Sequence, residues 1–214
     1  MENLFEVIAN EYNLSQLIKN QYLDYIDFLL EENKKYNLTN ICTKEQVLYY
    51  HLIDTLMVTK TSFLDNKNNI ADIGSGCGVP GIILAIFYPK KQFYLIEVTK
   101  KKINFLNQVI RRLNLINCTV SSYDFLTFMR AKINTIDVFI ARASLGLKDI
   151  IKIYQIDFYN KTEVIYWGSL QWKNDPKHNS ILNNKMLQID SFVYEIKENN
   201  NIRKLNYINI KKIK

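Results

Sequence analysis

The residues best suited to chemistry in this 214-residue sequence are an aspartate and four glycines in residues 70 to 86, IADIGSGCGVPGIILAI. An apolar run ends at Asp72, Pro80 opens a second apolar run, and the glycines stand at Gly74, Gly76, Gly78 and Gly81. Glycines at alternate positions permit positive φ and carry no Cβ, so the backbone can lie against a flat ligand. Proline suits the first turn of a helix. The segment therefore predicts a strand, a glycine turn and a helix, with a nucleoside-type ligand in the crevice above the strand.

Two classes of nucleoside ligand compete for this crevice. Residues 76 to 81 satisfy the dinucleotide pattern G-x-G-x-x-G, and Glu97 follows about 20 residues later, as that fingerprint requires. Residues 72 to 78, DIGSGCG, also have an acidic residue before three alternating glycines, the pattern of S-adenosylmethionine (SAM) methyltransferases. Glu97 serves both classes, because a carboxylate that ends the second strand can accept both ribose hydroxyls. We expect SAM; the alternatives are a dinucleotide, or a glycine turn that only packs a helix on a strand.

Two further segments place polar groups near the same crevice. Tyr123 and Asp124 follow the predicted third strand, where a carboxylate or a backbone N–H meets an adenine, although SSYD is also an ordinary helix-capping sequence. The helix after the second strand opens with TKKK, whose cations oppose the helix dipole. Lys101 and Lys102 are therefore predicted to meet phosphates of a nucleic acid. A solvated lysine run is the alternative.

Arg142 ends the predicted fourth strand and lies at the rim of the crevice. The segment around it, FIARAS, lacks both the D/N-P-P-Y/F motif of enzymes that methylate exocyclic amines and the cysteine nucleophile of enzymes that methylate pyrimidine C5. The sequence thus favours a target that is already nucleophilic, such as guanine N7, for which alignment alone can supply about 7 to 11 kcal/mol. Arg142 is predicted to orient the cofactor carboxylate or the guanine edge, with a structural ion pair as the alternative.

His51 and Asp54 lie three residues apart in a predicted helix and so share one face. That spacing is compatible with an acid–base pair, half of a metal site or a hydrogen bond on the helix surface, and the last is favoured. A metal site would need a third ligand, and the only other histidine, His178, is far away in the sequence. We therefore predict no metal.

Composition sets the class of protein. The net charge of +7 and the pI of about 9.1 agree with a nucleic-acid partner, but an AT-rich genome would also produce this wealth of Lys, Asn and Ile. The three cysteines are dispersed and contain no C-x-x-C, so neither a disulfide framework nor a zinc site is indicated. No run approaches the roughly 18 apolar residues that span a bilayer, and we expect a soluble, cytoplasmic protein without a membrane partner.

The elements that must position these residues follow from the hydrophobic pattern. Two helices, over residues 14 to 35 with Ser15 as cap and over 43 to 60 with a Thr43–Gln46 capping box, form a helical N-terminal segment over residues 1 to 65. From residue 66 to residue 214, strands near 70–73, 92–97, 117–121, 136–141 and 163–167 alternate with helices near 80–88, 99–113, 123–131 and 145–158. Two alternating runs joined by KENNN then predict a terminal hairpin. This is the class I SAM-dependent methyltransferase fold: Rossmann-like, with seven mostly parallel strands.

Five segments together resemble a known family, the bacterial 16S ribosomal RNA N7-guanine methyltransferases called RsmG or GidB. They are KKYNLTNI at 34 to 41, HLIDTL at 51 to 56, IADIGSGCGVPGIILAI at 70 to 86, LIEVTKKKINFL at 95 to 106 and IARASLGL at 140 to 147. Their order and intervals agree over nearly the whole chain. The resemblance implies SAM-dependent methylation of a guanine N7 in the 530 loop, with 16S RNA or the small ribosomal subunit as partner.

By motif, the cofactor positions of the family fall on Gly74, Val79, Tyr123 with Asp124, and Arg142. The resemblance includes Asn37, His51, Asp54, Pro80 and Gly81 without assigning them a role. One departure concerns the fifth strand, where a common Lys-Gly pair is replaced by Trp167-Gly168. Trp167 is predicted either to stack on a base or to cap the core. A ribosome-binding or assembly factor that keeps the fold without turnover, and an NAD-dependent oxidoreductase, remain the alternative functions.

Overall fold

The computed structural model describes residues 4–132, 135–142, 144–155, 162–198 and 201–212. The helices are α1 (Leu4–Glu11), α2 (Gln16–Tyr36), α3 (Lys44–Val47), α4 (Asp54–Leu56), α5 (Gly81–Phe87), α6 (Lys100–Arg112), α7 (Phe125–Lys132), α8 (Leu147–Gln155) and α9 (Asn179–Leu182). The strands are β1 (Asn69–Ile73), β2 (Gln92–Ile96), β3 (Cys118–Ser121), β4 (Val138–Arg142), β5 (Glu163–Gly168), β6 (Leu187–Glu198) and β7 (Asn201–Lys212).

The seven strands form one sheet in the order β3-β2-β1-β4-β5-β7-β6. The five strands from β1 to β5 are parallel to one another, and β7 runs antiparallel to both β5 and β6. This order confirms the predicted methyltransferase fold. It does not support the dinucleotide alternative, because a hairpin follows β5 where a dehydrogenase would continue with its second nucleotide-binding half.

The N-terminal segment differs from its prediction in two places. Helix α1 was not predicted, and the single helix expected over 43 to 60 is divided into α3, a π-helical turn over Leu48–Ile53, α4 and a 3₁₀ turn over Met57–Lys60. Thr43 caps α3 as expected, by accepting the N–H of Gln46, but the Gln46 carboxamide accepts the N–H of Cys42 and so makes a variant of the capping box. Short π-helical turns often occur at functional sites.

Each face of the sheet carries its own hydrophobic core. The N-terminal segment packs with α5 and α6 on one face, and α7 and α8 cover the other. Two buried tyrosines of α2 join the first layer to the glycine segment: the Tyr22 hydroxyl donates to the carbonyl of Ile83 at 2.9 Å and the Tyr25 hydroxyl to that of Cys77 at 2.8 Å. The N-terminal segment therefore supports the glycine turn directly.

The remaining predictions agree with the strands and helices to within a few residues. The last part of the helix predicted over 145 to 158, and the tip of the hairpin turn at 199–200, lie outside the described residues. The short helical turns between Trp172 and Leu182 were not predicted. Among the helices described, none combines the length and the apolar character needed to cross a membrane.

Candidate active site

A cavity of about 360 Å³ opens at the carboxyl ends of β1 and β2, where a parallel sheet of this kind binds its ligands. Its apolar wall consists of Ile73, Ile96, Val98, Phe125 and Leu145, and its polar groups come from Glu97, Lys102, Asp124 and Ser144. Such a mixture, mostly apolar with a few polar side chains, is typical of sites for small molecules. The backbone of Gly74 completes the lining.

The glycine turn adopts the left-handed conformation that its sequence predicts. Gly74, Gly76 and Gly78 have φ values of +68°, +58° and +94°. At Gly74 the approach is also close, because a Cβ placed there would lie 2.5 Å from the Cβ of Ser144, which follows β4. The bare backbone thus lets the turn after β1 and the turn after β4 meet at the cavity wall.

Asp72 holds the glycine turn from inside. Its Oδ2 atom accepts the N–H of Gly81 at the start of α5 at 3.0 Å, and its side chain is buried, 1% exposed. Burial raises its pKa to about 7. The Oδ1 atom has no hydrogen-bond partner among the described residues. Asp72, predicted as a cofactor ligand, therefore lies beneath the turn and does not line the cavity.

Glu97 lies at the cavity and is already engaged by the backbone. Its Oε2 atom accepts the N–H of Gly76 at 3.0 Å, and its Oε1 atom accepts those of Val98 and Thr99 at 2.9 and 2.8 Å. A carboxylate offers about four lone-pair sites, so about one remains, on Oε2. Glu97 can accept one ribose hydroxyl in this arrangement, whereas the sequence suggested that it would accept both.

Tyr123 and Asp124 follow β3 but differ in their relation to the cavity. Asp124 lines the cavity and caps α7 at the same time, since its Oδ1 accepts the N–H of Thr127 at 3.0 Å. The hydrogen bonds from Thr127 lower its pKa. Tyr123 is 57% exposed and carries no lining role in the described cavity. Both alternatives of the prediction, ligand contact and helix cap, are thus compatible with Asp124.

The two lysines proposed to meet RNA have different positions. Lys102 lines the cavity. Lys101 is exposed and donates to the carbonyl of Tyr36, at the end of α2, at 2.7 Å. The next residue, Asn37, ends that helix in the left-handed conformation with φ of +48°. Because Lys101 satisfies a helix-terminal carbonyl, only Lys102 adjoins the site.

Arg142 turns away from the cavity lining and towards the N-terminal segment. Its Nη1 atom lies 3.2 Å from Oδ2 of Asp54, and its Nη2 atom donates to the carbonyl of Tyr50 and lies 3.5 Å from Nδ1 of His51. On the other side of the imidazole, His51 Nε2 is 4.0 Å from the sulfur of Cys77. One imidazole ring therefore separates the Arg142 guanidinium from the glycine turn.

His51 and Asp54 share a face, as their spacing predicts, but that face is buried: they are 5% and 2% exposed. The favoured hydrogen bond on the helix surface is therefore replaced by a buried network in which Arg142 contacts both residues. Burial, and next the charge of Arg142, lower the pKa of His51 to about 4, so its imidazole is neutral near pH 7. Among the residues described, no group of three or more His, Cys, Asp or Glu side chains is placed to hold a metal ion.

Three aromatic residues complete this network. The Tyr194 hydroxyl donates to Oδ1 of Asp54, while the Tyr207 hydroxyl and the Trp167 indole N–H donate to its backbone carbonyl. Trp167 is 9% exposed and packs edge-on against Tyr207, so it caps the core and its ring is not available for stacking on a base. The sequence did not reveal Tyr194 or Tyr207, because nothing in a hairpin strand indicates a partner more than a hundred residues away.

The remaining motif residues have structural positions. Val79 is buried in the core beside the glycine turn, and Pro80 lies one residue before α5, joined to Val79 by a cis peptide bond. At Gly81 a Cβ would lie 2.4 Å from Leu95 and 2.6 Å from the Asp72 carboxylate, so this glycine allows α5 to pack on the sheet. The segment NLT is organised by Asn33, whose side chain bonds the backbone of Thr39 and Ile41 and which the sequence did not single out.

A sequence model of one protein family, GidB, described as rRNA small subunit methyltransferase G, matches residues 18–205. The chain belongs to this family. It is 41% identical over 139 residues to ribosomal RNA small subunit methyltransferase G of Mesoplasma florum, covering 65% of this chain and 58% of that protein. It is 35% identical over 153 residues to the protein of that name from Aster yellows witches'-broom phytoplasma, covering 69% of this chain and 70% of that one.

Other relatives in the family match over a shorter part. The protein of the same name from Mycoplasma capricolum is 44% identical over 114 residues, which cover 53% of this chain and 48% of that protein. The chain thus spans about half to three fifths of the length of the Mesoplasma and Mycoplasma relatives. Family membership confirms the resemblance that the five sequence segments indicated.

Solved structures support the fold. M. capricolum TrmK, determined in complex with S-adenosyl-homocysteine, aligns with a TM-score of 0.54 at 21% identity and covers 75% of this chain and 68% of that one. Precorrin-6y C5,15-methyltransferase from Geobacter metallireducens aligns with a TM-score of 0.53 at 13% identity, over 71% and 85% of the two chains. At these identities the likeness concerns the fold alone.

Proposed function

We propose that this protein transfers a methyl group from SAM to N7 of a guanine in the 530 loop of 16S ribosomal RNA. The observation that carries the proposal is the cavity bounded by the glycine turn and Glu97, in a chain that belongs to the family of rRNA small subunit methyltransferase G. The target atom and the loop rest on the resemblance of the sequence segments. Since ribosomal RNA would be the partner, free or in the small subunit, we expect the protein in the cytoplasm.

The residues at the cavity fit an adenosyl ligand. A volume of about 360 Å³ lies within the range of small-molecule sites, and the apolar wall suits a purine ring. Oε2 of Glu97 has a lone pair left to accept a ribose hydroxyl. Because Gly74 lies so close to Ser144, residue 74 has no space for a side chain, and the turn presents bare backbone to the ligand. When bound, SAM supplies a methyl group on a sulfonium, which is electrophilic without further activation.

The carboxylates at the cavity are already hydrogen-bonded to backbone N–H groups, which favours a target atom that reacts without a general base. Of the described residues that line the cavity, the acidic ones are Glu97, which binds three backbone N–H groups, and Asp124, which caps α7. Guanine N7 has a free lone pair. Its attack forms the N–C bond while the C–S bond breaks, the positive charge passes from sulfur to the guanine, and no proton is released. The chain therefore has only to bind and align the reactants.

Two cations have separate tasks in this proposal. In this proposal Lys102, which lines the cavity, contacts the RNA backbone near the reacting base. In this proposal Arg142, which lies outside the described cavity lining and contacts Asp54 and Tyr50, binds the carboxylate at the amino-acid end of the cofactor. Glycine-turn N–H groups and a guanidinium both suit a carboxylate, because charge-assisted hydrogen bonds are about twice as strong as neutral ones.

Transfer of a tritiated methyl group tests the proposal. The substrates are small subunits and naked 16S RNA from cells that lack the modification, and mass spectrometry of the product should locate 7-methylguanosine in the 530 loop. Glu97→Gln serves as a variant impaired at the same site. Label elsewhere in the RNA would overturn the assignment of the target.

A second candidate, a ribosome-binding factor without turnover, is favoured by Trp167, which replaces the lysine that the resemblance leads us to expect. Folded protein that binds SAM and the small subunit but transfers no methyl group would support this candidate. In that case, activity gained by Trp167→Lys would identify the lost lysine as the cause.

A further inference from the structure

A second, smaller cavity lies between α2 and α6, next to the proposed cofactor cavity. Its volume is about 100 Å³, and its lining residues are Glu32, Tyr36, Lys101, Asn104, Phe105 and Gln108. The two cavities are neighbours, because Lys101 lines this one and the next residue, Lys102, lines the larger one. At this volume the cavity is too small for a whole cofactor and has room for one planar group.

Glu32 is a buried carboxylate on the wall of this cavity. Its side chain is 8% exposed, and its Oε1 atom accepts a hydrogen bond from Nζ of Lys35 at 2.7 Å. Its Oε2 atom has no hydrogen-bond partner among the described residues. A carboxylate offers about four lone-pair sites, and leaving a buried acceptor without a donor costs free energy. A ligand that donates a hydrogen bond to Oε2 offsets that cost.

The other polar and aromatic lining residues suit a nucleobase. Tyr36 ends α2 and is 45% exposed, so its ring is open to stacking. Asn104 and Gln108 carry side-chain amides, which can both donate to and accept from the edge of a base. Lys101 donates to the carbonyl of Tyr36 at 2.7 Å and so ties together the two helices that border the cavity.

We propose that this cavity binds one unpaired base of the RNA substrate, near the methylated guanine, and that Glu32 selects cytosine there through its exocyclic amino group. This inference rests on the proposed function. Oε2 of Glu32 accepts a hydrogen bond from the amino group, and the ring of Tyr36 stacks on the base. Uracil is disfavoured, because it presents the acceptor O4 at the position of the amino group.

The test compares short oligocytidine and oligouridine of equal length, which differ at the position that Glu32 contacts. Fluorescence anisotropy on the full chain, at one salt concentration, gives both dissociation constants. Their ratio measures the preference, because phosphate contacts affect both RNAs equally. We expect the wild type to bind oligocytidine about tenfold more tightly. In Glu32→Gln, Lys35 donates to the amide oxygen and the new NH₂ group faces the base, so the preference should be lost.

The matched control is Glu31→Gln. Glu31 also accepts a hydrogen bond from Lys35, at 3.3 Å, but its side chain is 62% exposed and is not part of the cavity lining. Both substitutions remove one negative charge beside Lys35 and so strengthen the binding of either RNA by a similar factor. Only the ratio distinguishes them, and we expect the wild-type ratio in Glu31→Gln.

Tyr36→Ala tests the stacking and keeps the inference testable if Glu32→Gln fails to fold. It should weaken the binding of both RNAs by about 5- to 150-fold, the range for one lost stacked base, and Tyr36→Phe should retain the wild-type affinity. The Tyr36 side chain is exposed enough for either change to leave the core intact. The backbone carbonyl that Lys101 contacts is present in both variants.

The outcomes separate this inference from the proposed function. A wild type that methylates ribosomal RNA but binds the two oligonucleotides equally overturns the role of the cavity alone, as does a preference that Glu32→Gln retains or an unchanged affinity in Tyr36→Ala. A wild type that neither methylates nor binds RNA overturns both proposals. A preference that appears only between cytidine and uridine monophosphates assigns the cavity to a free nucleotide and overturns the RNA assignment. Loss of the preference in Glu32→Gln but not in Glu31→Gln supports the inference.

Discussion

Asp72 and Gly81 are joined across the glycine turn by a hydrogen bond of 3.0 Å, from the Gly81 N–H to Oδ2 of the carboxylate. The bond ties the end of β1 to the start of α5 and closes the turn that borders the cavity. It also brings the backbone of α5 so near the strand that a side chain at residue 81 would meet Asp72 and Leu95. This pair therefore affects both the stability of the folded site and the pKa of Asp72.

We expect Gly81→Ala to lower the free energy of unfolding by about 1 to 3 kcal/mol, because the added Cβ overlaps Leu95 at 2.4 Å and the Asp72 carboxylate at 2.6 Å. Urea denaturation followed by circular dichroism measures the change. Gly146→Ala is the control, since its Cβ would meet only the Asp149 carboxylate at 3.3 Å. Equal stability of the two variants would contradict the close packing of α5 on β1 and β2.

Asp72 should make the folded state less stable as the pH rises. Burial raises its pKa from 3.8 to about 7, so the folded protein holds the proton more tightly than the unfolded chain does. The contribution to stability is complete below about pH 4 and is lost by about pH 7, with a maximal slope of about 1.4 kcal/mol per pH unit. Asp72→Asn resembles the protonated form, so it should match the wild type below about pH 4 and be more stable near pH 8.

His51 titrates in the opposite sense over an overlapping range. Its pKa falls from 6.5 to about 4 on folding, so the stability it contributes is lost as the pH drops through that interval. Because the two effects partly cancel, the free energy of unfolding of the wild type changes less with pH than either effect alone would require. The informative quantity is the difference in free energy of unfolding between Asp72→Asn and the wild type, measured by urea denaturation at each pH. A difference that does not vary with pH would show that Asp72 has an ordinary pKa.

Glu97→Gln should weaken SAM binding by about ten- to a hundredfold, because the new amide places an NH₂ group against one of the backbone N–H groups that the carboxylate now accepts. Calorimetry measures the affinity. Glu195→Gln provides the comparison, since Glu195 is an exposed partner of Lys204 in the hairpin. Unchanged affinity in Glu97→Gln would remove Glu97 from the binding site.

Lys101 and Lys102 should differ in RNA binding although they are neighbours. Lys102→Ala is expected to make the dependence of the association constant on salt shallower by about 0.7 to 0.9 in log–log slope, the value for one lost phosphate contact. Lys101→Ala should leave the slope unchanged, since Lys101 donates to the Tyr36 carbonyl. Filter binding of 16S RNA over a salt series measures both. A shallower salt dependence in Lys101→Ala, with no change in Lys102→Ala, would show that Lys101 and not Lys102 contacts a phosphate.

Local sequence determined the parts of the site that are made by consecutive residues. The alternating glycines require a turn with positive φ wherever they lie, and the apolar runs on either side of them require a strand and a helix. The same reasoning placed Glu97 at the end of β2 and Arg142 at the end of β4. It also indicated a mostly parallel sheet that ends in a hairpin, because strands that alternate with helices are typical of parallel pairing and two alternating runs with a short turn are typical of a hairpin.

Only the tertiary structure decided which of these groups meet. Arg142 was predicted at the crevice rim, yet its partners are Asp54 and Tyr50 in the N-terminal segment, and Asp54 is held in turn by Tyr194 near the other end of the chain. Trp167 became a core residue because Tyr207 covers it. A hydrogen bond between residues 140 positions apart leaves no periodicity or spacing in the sequence. It arises only when the sheet brings β4, β5 and the hairpin against the π-helical turn, and the free energy of burying polar groups then selects the arrangement in which nearly all of them are paired.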